Sequence, residues 1–245
     1  MPMHDWTRVI PGTYHAFHYQ WIGALANALN GGGLPPGYFA MPEQCVGGPE
    51  PDVLTLGRPG TAPPSNGGGG IGVQIAPPRT RFVMESDRSN YARRANHLAI
   101  RHDEGEVVAI IEIVSPGNKD SRHAIHSFVE KAVEYLEGGV HLLIVDPFPP
   151  TRRDPEGIHG AIWGEFEDAP FELPPDKRLT CVSYVAGGKT VAFVEPIAVG
   201  DPLPNMPLYL TQSQYVWCPL EATYQATWAL FPQVLKGPLE GAAPT

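Results

Sequence analysis

Glu112 is the residue in this chain whose surroundings most constrain its chemistry. It stands in Val107-Val108-Ala109-Ile110-Ile111-Glu112-Ile113-Val114, an apolar and mostly β-branched run closed by Ser115-Pro116-Gly117-Asn118-Lys119. A short apolar run ended by turn residues reads as a buried strand. A carboxylate inside such a strand is largely desolvated, which costs several kcal/mol unless it takes up a proton or gains a partner. That partner is either a hydrogen-bond donor on a neighbouring element or a metal ion. Two further acids, Glu43 and Asp52, lie on adjacent segments that read as a hairpin, Tyr38–Val46 and Pro51–Leu56. His15 and His18 sit one turn apart and could share a metal, although packed or capping roles are commoner for such histidines. Cys45, Cys181 and Cys218 form neither a zinc spacing nor a disulfide framework, which fits a reduced, cytoplasmic protein.

Positioning these side chains requires both helices and strands. Phe17, Trp21, Leu25, Ala28 and Leu29 recur at helical spacing, predicting a helix over Tyr14–Asn30 that stops at Gly31-Gly32-Gly33. Arg81–Glu85 is a short strand candidate. His97–Arg101 and Glu106–Val114 flank Asp103-Glu104-Gly105, a hairpin signal. Arg122–Glu137 is amphipathic, with Ile125, Phe128, Val129, Ala132, Val133 and Leu136 on one face and Lys131 on its flank beside Ala124 and Tyr135. Lys119 follows Gly117 in a turn and is expected to point to solvent. Val140–Val145 reads as an apolar strand ending at Asp146-Pro147, which completes a strand–helix–strand unit. Phe148–Pro175 reads as a Pro-rich, acidic connection. Leu179–Ala186 and Lys189–Val194 form a hairpin about Gly187-Gly188, Ala198–Pro207 a loop, and Pro219–Leu230 a last helix before a frayed tail beyond Gly237.

At 245 residues the chain suits one domain, and 42% hydrophobic residues are enough for a core. The expected organisation is a single domain over 1–245, with a core at 13–147, a flexible Gly/Pro-rich loop at 57–80 and a C-terminal extension at 176–236. The loop carries four consecutive glycines, Gly67–Gly70, and too little apolar surface to offset its chain entropy. A net charge of −9 argues against a constitutive, electrostatically bound DNA coat, but not against an enzyme that grips nucleic acid locally. No apolar run is long enough to span a bilayer, so no membrane partner is expected.

In order, the elements are a helix, the Glu43 strand, the Asp52 strand, the Glu112 strand, the Lys131 helix and an apolar strand. This order resembles the PD-(D/E)XK, or restriction-endonuclease-like, superfamily, with Pro51-Asp52 at the PD element and Glu112 at the (D/E). The segment Ile111–Lys119 also resembles the I-E-x-x-S-P-x-N-K motif of a bacterial family of unknown function. The His-rich first helix, the Leu34-Pro35-Pro36-Gly37-Tyr38 turn and the region Leu203–Trp228 are similar to that family too. Uma-type predicted endonucleases share the PD element, the Glu and Ser-Pro strand end and the helical lysine. The resemblance implies an α/β fold, a mixed central sheet flanked by helices with a C-terminal hairpin and helix.

It also implies a nuclease that hydrolyses DNA with Mg²⁺ or Mn²⁺, the ion held by Asp52, Glu112 and Glu43. A hard cation held by one or two carboxylates suits phosphodiester hydrolysis. The lysine the pattern places two residues after the carboxylate is Val114 here. Lys131 on the following helix is the migrated candidate, and Lys119 the second. DNA is the implied partner, and a second copy of the chain, a homodimer, is another. The alternative is a non-catalytic nuclease-like module that binds nucleic acid or protein. A third reading is a metal-dependent hydrolase of another phosphate ester.

Overall fold

A computed structural model describes residues 3–42, 53–57, 81–85, 101–102 and 105–240. Helix α1 spans Pro11–Ala28, with proline at its first position, where no amide hydrogen is needed. It runs into a wider turn over Leu29–Gly33, and Gly32 takes φ 123°, a conformation glycine reaches without strain. Strands follow at Tyr38–Met41 (β1), Val53–Gly57 (β2), Phe82–Glu85 (β3), Arg101–His102 (β4) and Gly105–Ile113 (β5). Helix α2, Arg122–Glu137, leads to β6 at His141–Asp146, and α3 spans Gly157–Trp163. The remaining elements are β7 (Leu179–Val185), β8 (Val191–Ile197), β9 (Met206–Tyr209), β10 (Tyr215–Cys218), α4 (Leu220–Leu230) and α5 (Gln233–Glu240).

The main sheet has the order β1-β2-β5-β6-β7-β8-β3, and β4 also pairs with β5. The pair β5–β6 is parallel, with Glu112 opposite Ile144, and the other pairs are antiparallel. Parallel neighbours need a long crossover, and α2 supplies it. This is the mixed α/β sheet flanked by helices that the resemblance implies. Strands β7 and β8 extend that sheet, so the C-terminal hairpin is continuous with it.

Alternation along β5 divides the core. Ala109, Ile111 and Ile113 pack with α1, α4 and the N-terminal aromatics, while Ile110 and Val114 pack with α2 and α3. Helix α2 has the bounds its amphipathic pattern predicts. Ser121 Oγ accepts from Ala124 N at 3.0 Å as its cap, and Ile125, Phe128, Val129, Ala132 and Leu136 are buried. Each such large apolar side chain contributes roughly 1.5–3 kcal/mol. Gly138 and Gly139 end the helix, Gly139 at φ 87°.

Several expectations are corrected. The connection after β6 contains α3, entered through Gly157 at φ 76° and buried through Ile158, Ile162 and Trp163. Two turns amid prolines are too short to show a period. Met206 and Pro207, read as loop, belong to β9, which pairs with β10 through Tyr209 opposite Tyr215. The tail beyond Gly237 continues α5 to Glu240, because Lys236 and Leu239 are buried. His141, inside the strand read as apolar, is buried, and its Nδ1 accepts from Ala186 N at 3.0 Å. The loop expected at 57–80 lies outside the described residues except for Gly57, which ends β2, and of His97–Arg101 only Arg101 is described.

Candidate functional site

The turn after β5 fixes where α2 starts. Asn118 Oδ1 accepts from Ser115 N at 2.8 Å and from Ser115 Oγ at 2.7 Å, and Asn118 N donates to Ser115 O at 3.0 Å. Ser115 is therefore bonded within the turn rather than to a carboxylate. On the other face α1 grips the strand end: Tyr14 Oη donates to Val114 O at 2.9 Å, and His18 Nε2 lies 2.9 Å from Ile113 O. A carbonyl only accepts, so His18 Nε2 carries the hydrogen and is turned away from metal binding. His15 is exposed and its ring stacks 6.2 Å from that of His18.

Lys131, in the middle of α2, reaches back to β5. Its Nζ lies 2.5 Å from Glu112 Oε1, and both residues are buried, Glu112 at 7% and Lys131 at 9% exposure. The Tyr135 ring lies one turn further along α2, 5.7 Å from Nζ. Phe128, Ala132, Leu142 and Ile144 complete an apolar crevice around the pair, too tight to admit a water molecule. Little solvent screening reaches such a contact, so the attraction between the two charges is strong. The buried carboxylate of the strand thus has its partner in the helical lysine.

Lys119 is not directed to solvent. It is 5% exposed, and its ammonium contacts Asp146 and Asp154. Gly117 does turn the chain, but the turn points inward toward the end of β6. Asp146 closes β6, and burial raises its pKa against the opposing pull of Lys119. Glu112 and Lys131 are brought together, whereas Lys119 joins a different pair of acids. Glu43 and Asp52 lie outside the described residues; Val53, next to Asp52 in the chain, stands opposite Ile111 in the β2–β5 ladder. Among the described residues no three His, Cys, Asp or Glu side chains come together as a metal site.

Sequence reasoning missed Tyr14, Asp154 and the role of Asp146. An acid ending an all-buried strand was a signal for Asp146; Asp154, in a proline-rich loop, offered none. No protein-family model, curated protein or solved structure matches the chain. Among the described residues no helix is long and apolar enough to cross a membrane.

Proposed function

We propose that this chain is a metal-dependent nuclease that hydrolyses phosphodiester bonds in DNA, with Glu112 as a metal ligand and Lys131 as the lysine displaced from position 114. The observation that carries this reading is the contact between Lys131 Nζ and Glu112 Oε1 across β5 and α2. A lysine needed beside the strand carboxylate, and absent where the pattern expects it, arrives from the helix. Glu112 offers the hard oxygen that Mg²⁺ or Mn²⁺ accepts, and Asp52 and Glu43 would complete the ligands. When bound, such an ion neutralises phosphoryl charge and makes its water more acidic. Lys131 holds positive charge beside that carboxylate, where it would stabilise negative charge developing on the phosphate.

The tightness of the Glu112–Lys131 crevice and the net charge of −9 favour a second reading, a non-catalytic relative that keeps the ion pair only as part of its core. Calorimetric titration with Mn²⁺ and Mg²⁺ separates the two. The nuclease reading expects saturable binding by the wild type, weakened in Asp52→Asn and in Glu112→Gln. Absence of binding in the folded wild type would favour the non-catalytic relative.

A further inference from the structure

The buried lysine at the end of β6 is coordinated as a small cation would be. Lys119 Nζ lies 2.9 Å from Asp146 Oδ2, 2.9 Å from Asp154 Oδ2, 3.1 Å from Phe148 O and 3.2 Å from Pro149 O. An ammonium has three hydrogens. Asp146, Phe148 and Pro149 take all three, and Asp154 Oδ2 is left 2.9 Å away with no hydrogen bond among the described residues. Asp154 is 2% exposed and Asp146 is also 2% exposed, so bulk solvent does not reach this oxygen. That fourth oxygen is directed at the positive charge, not at a proton.

Hydrogen bonds within the loop after β6 also hold the cage. Asp146 Oδ1 accepts from Phe148 N at 3.1 Å. Asp154 Oδ1 accepts from Thr151 N at 2.9 Å and from the Thr151 hydroxyl. Each carboxylate spends its outer oxygen on pinning the loop after β6 and presents its inner oxygen to the same point. The two carbonyls come from that same pinned loop. Arg153 Nη1 also reaches Lys119 O, at 3.5 Å.

We propose that Lys119 is the tethered occupant of a preformed four-oxygen site for an ammonium-sized monovalent cation, and that this site fastens the turn before α2 to the loop before α3. The oxygens stand 2.9–3.2 Å from the centre. Ca²⁺ draws oxygens to about 2.3–2.6 Å and Mg²⁺ to about 2.0–2.1 Å, so either would have to collapse a loop that is held open by its own hydrogen bonds. Lysine supplies the cation without the translational entropy cost of a free ion, and removal of its side chain beyond Cβ leaves a vacancy of n-propylammonium shape, whose charged end methylammonium can occupy. The inference stands independently of the nuclease reading, since it concerns a different pair of acids.

The test is chemical rescue. Lys119→Ala lowers the urea midpoint in sodium-free buffer. Added methylammonium then raises it, the stabilisation growing with the logarithm of concentration once the site saturates. Potassium acts more weakly, and tetramethylammonium, which has no N–H, serves as the ionic-strength control and has no specific effect. Equal effects of methylammonium and tetramethylammonium, or rescue by Mg²⁺ in preference to methylammonium, would overturn the proposal. If the variant does not fold, the wild type is tested with an amine-acylating reagent. Lys119 is expected to be modified at least tenfold more slowly than exposed Lys189, and equal rates would overturn the assignment.

Discussion

Replacing Lys131 with methionine isolates the energetic value of the contact on which the functional reading rests. Methionine fills much of the volume of the lysine stem, so the apolar packing against Phe128, Ala132, Leu142 and Ile144 is retained. What is lost is the cation 2.5 Å from Glu112 Oε1. With Glu112 at 7% exposure, bulk solvent screens the remaining charge poorly. Removing one partner of a buried pair costs about 3–5 kcal/mol, whereas an exposed pair contributes about 0–1 kcal/mol. For a chain of this length each kcal/mol moves the melting temperature by about 2–4 °C, so Lys131→Met is expected to lower it by about 6–20 °C. Glu112→Leu alone strands the lysine instead and costs a similar amount. The double variant removes both charges and is expected to recover most of the loss, because apolar replacements of buried pairs are often neutral or stabilising. Urea unfolding followed by circular dichroism measures all four corners of the cycle. Losses below about 1 kcal/mol for both single variants would refute the account of a desolvated, mutually dependent pair.

Acid should destabilise the protein before its carboxylates titrate. Burial lowers the pKa of His141 to about 4 and of His159 to about 3, and burial, with smaller contributions from the N-terminus and Lys236, lowers His4 to about 4. Their folded pKa values lie below the unfolded value of 6.5, so stability is present above pH 6.5 and is lost as pH falls toward 4. Asp146 runs the other way, because burial raises its pKa, and it offsets part of this loss. The net loss between pH 6.5 and pH 5 is then about 3–5 kcal/mol, and urea midpoints that stay flat across that window would contradict it. Tyr14→Phe removes the donor to Val114 O and is expected to cost about 1–3 kcal/mol in the same unfolding assay, with an unchanged midpoint as the contrary result.

The parts of the fold that were legible are those with a strong local period. Helix α2 has the bounds Arg122–Glu137 because its apolar face repeats over four turns, and β5 and β6 follow from runs of buried β-branched and apolar residues. Helix α3 and the β9–β10 hairpin were not legible. One is seven residues long, and the other gains its stability from packing Tyr209 and Tyr215 against Val185 and Phe193, a contact no local window contains. The site shows the same division. That Glu112 must be desolvated and partnered follows from its neighbours, and Lys131 on the flank of α2 had a stem long enough to reach it. The inward turn of Lys119 was hidden, since Asp146 lies 27 residues further along the chain. Buried charge pairs of that kind are set by where strands end, which composition does not encode.

The measurement that bears most directly on the nuclease reading is cleavage of single- and double-stranded DNA by the folded wild type with Mg²⁺ or Mn²⁺, beside Glu112→Gln and Lys131→Gln variants matched for folded fraction. The account predicts cleavage that requires the metal and falls by about a hundred- to a thousandfold in each variant, the loss expected when one group that stabilises transition-state charge is removed. Cleavage by Lys131→Gln at the wild-type rate would contradict the role given to Lys131, and a folded wild type that cleaves no DNA with either metal would contradict the nuclease reading itself.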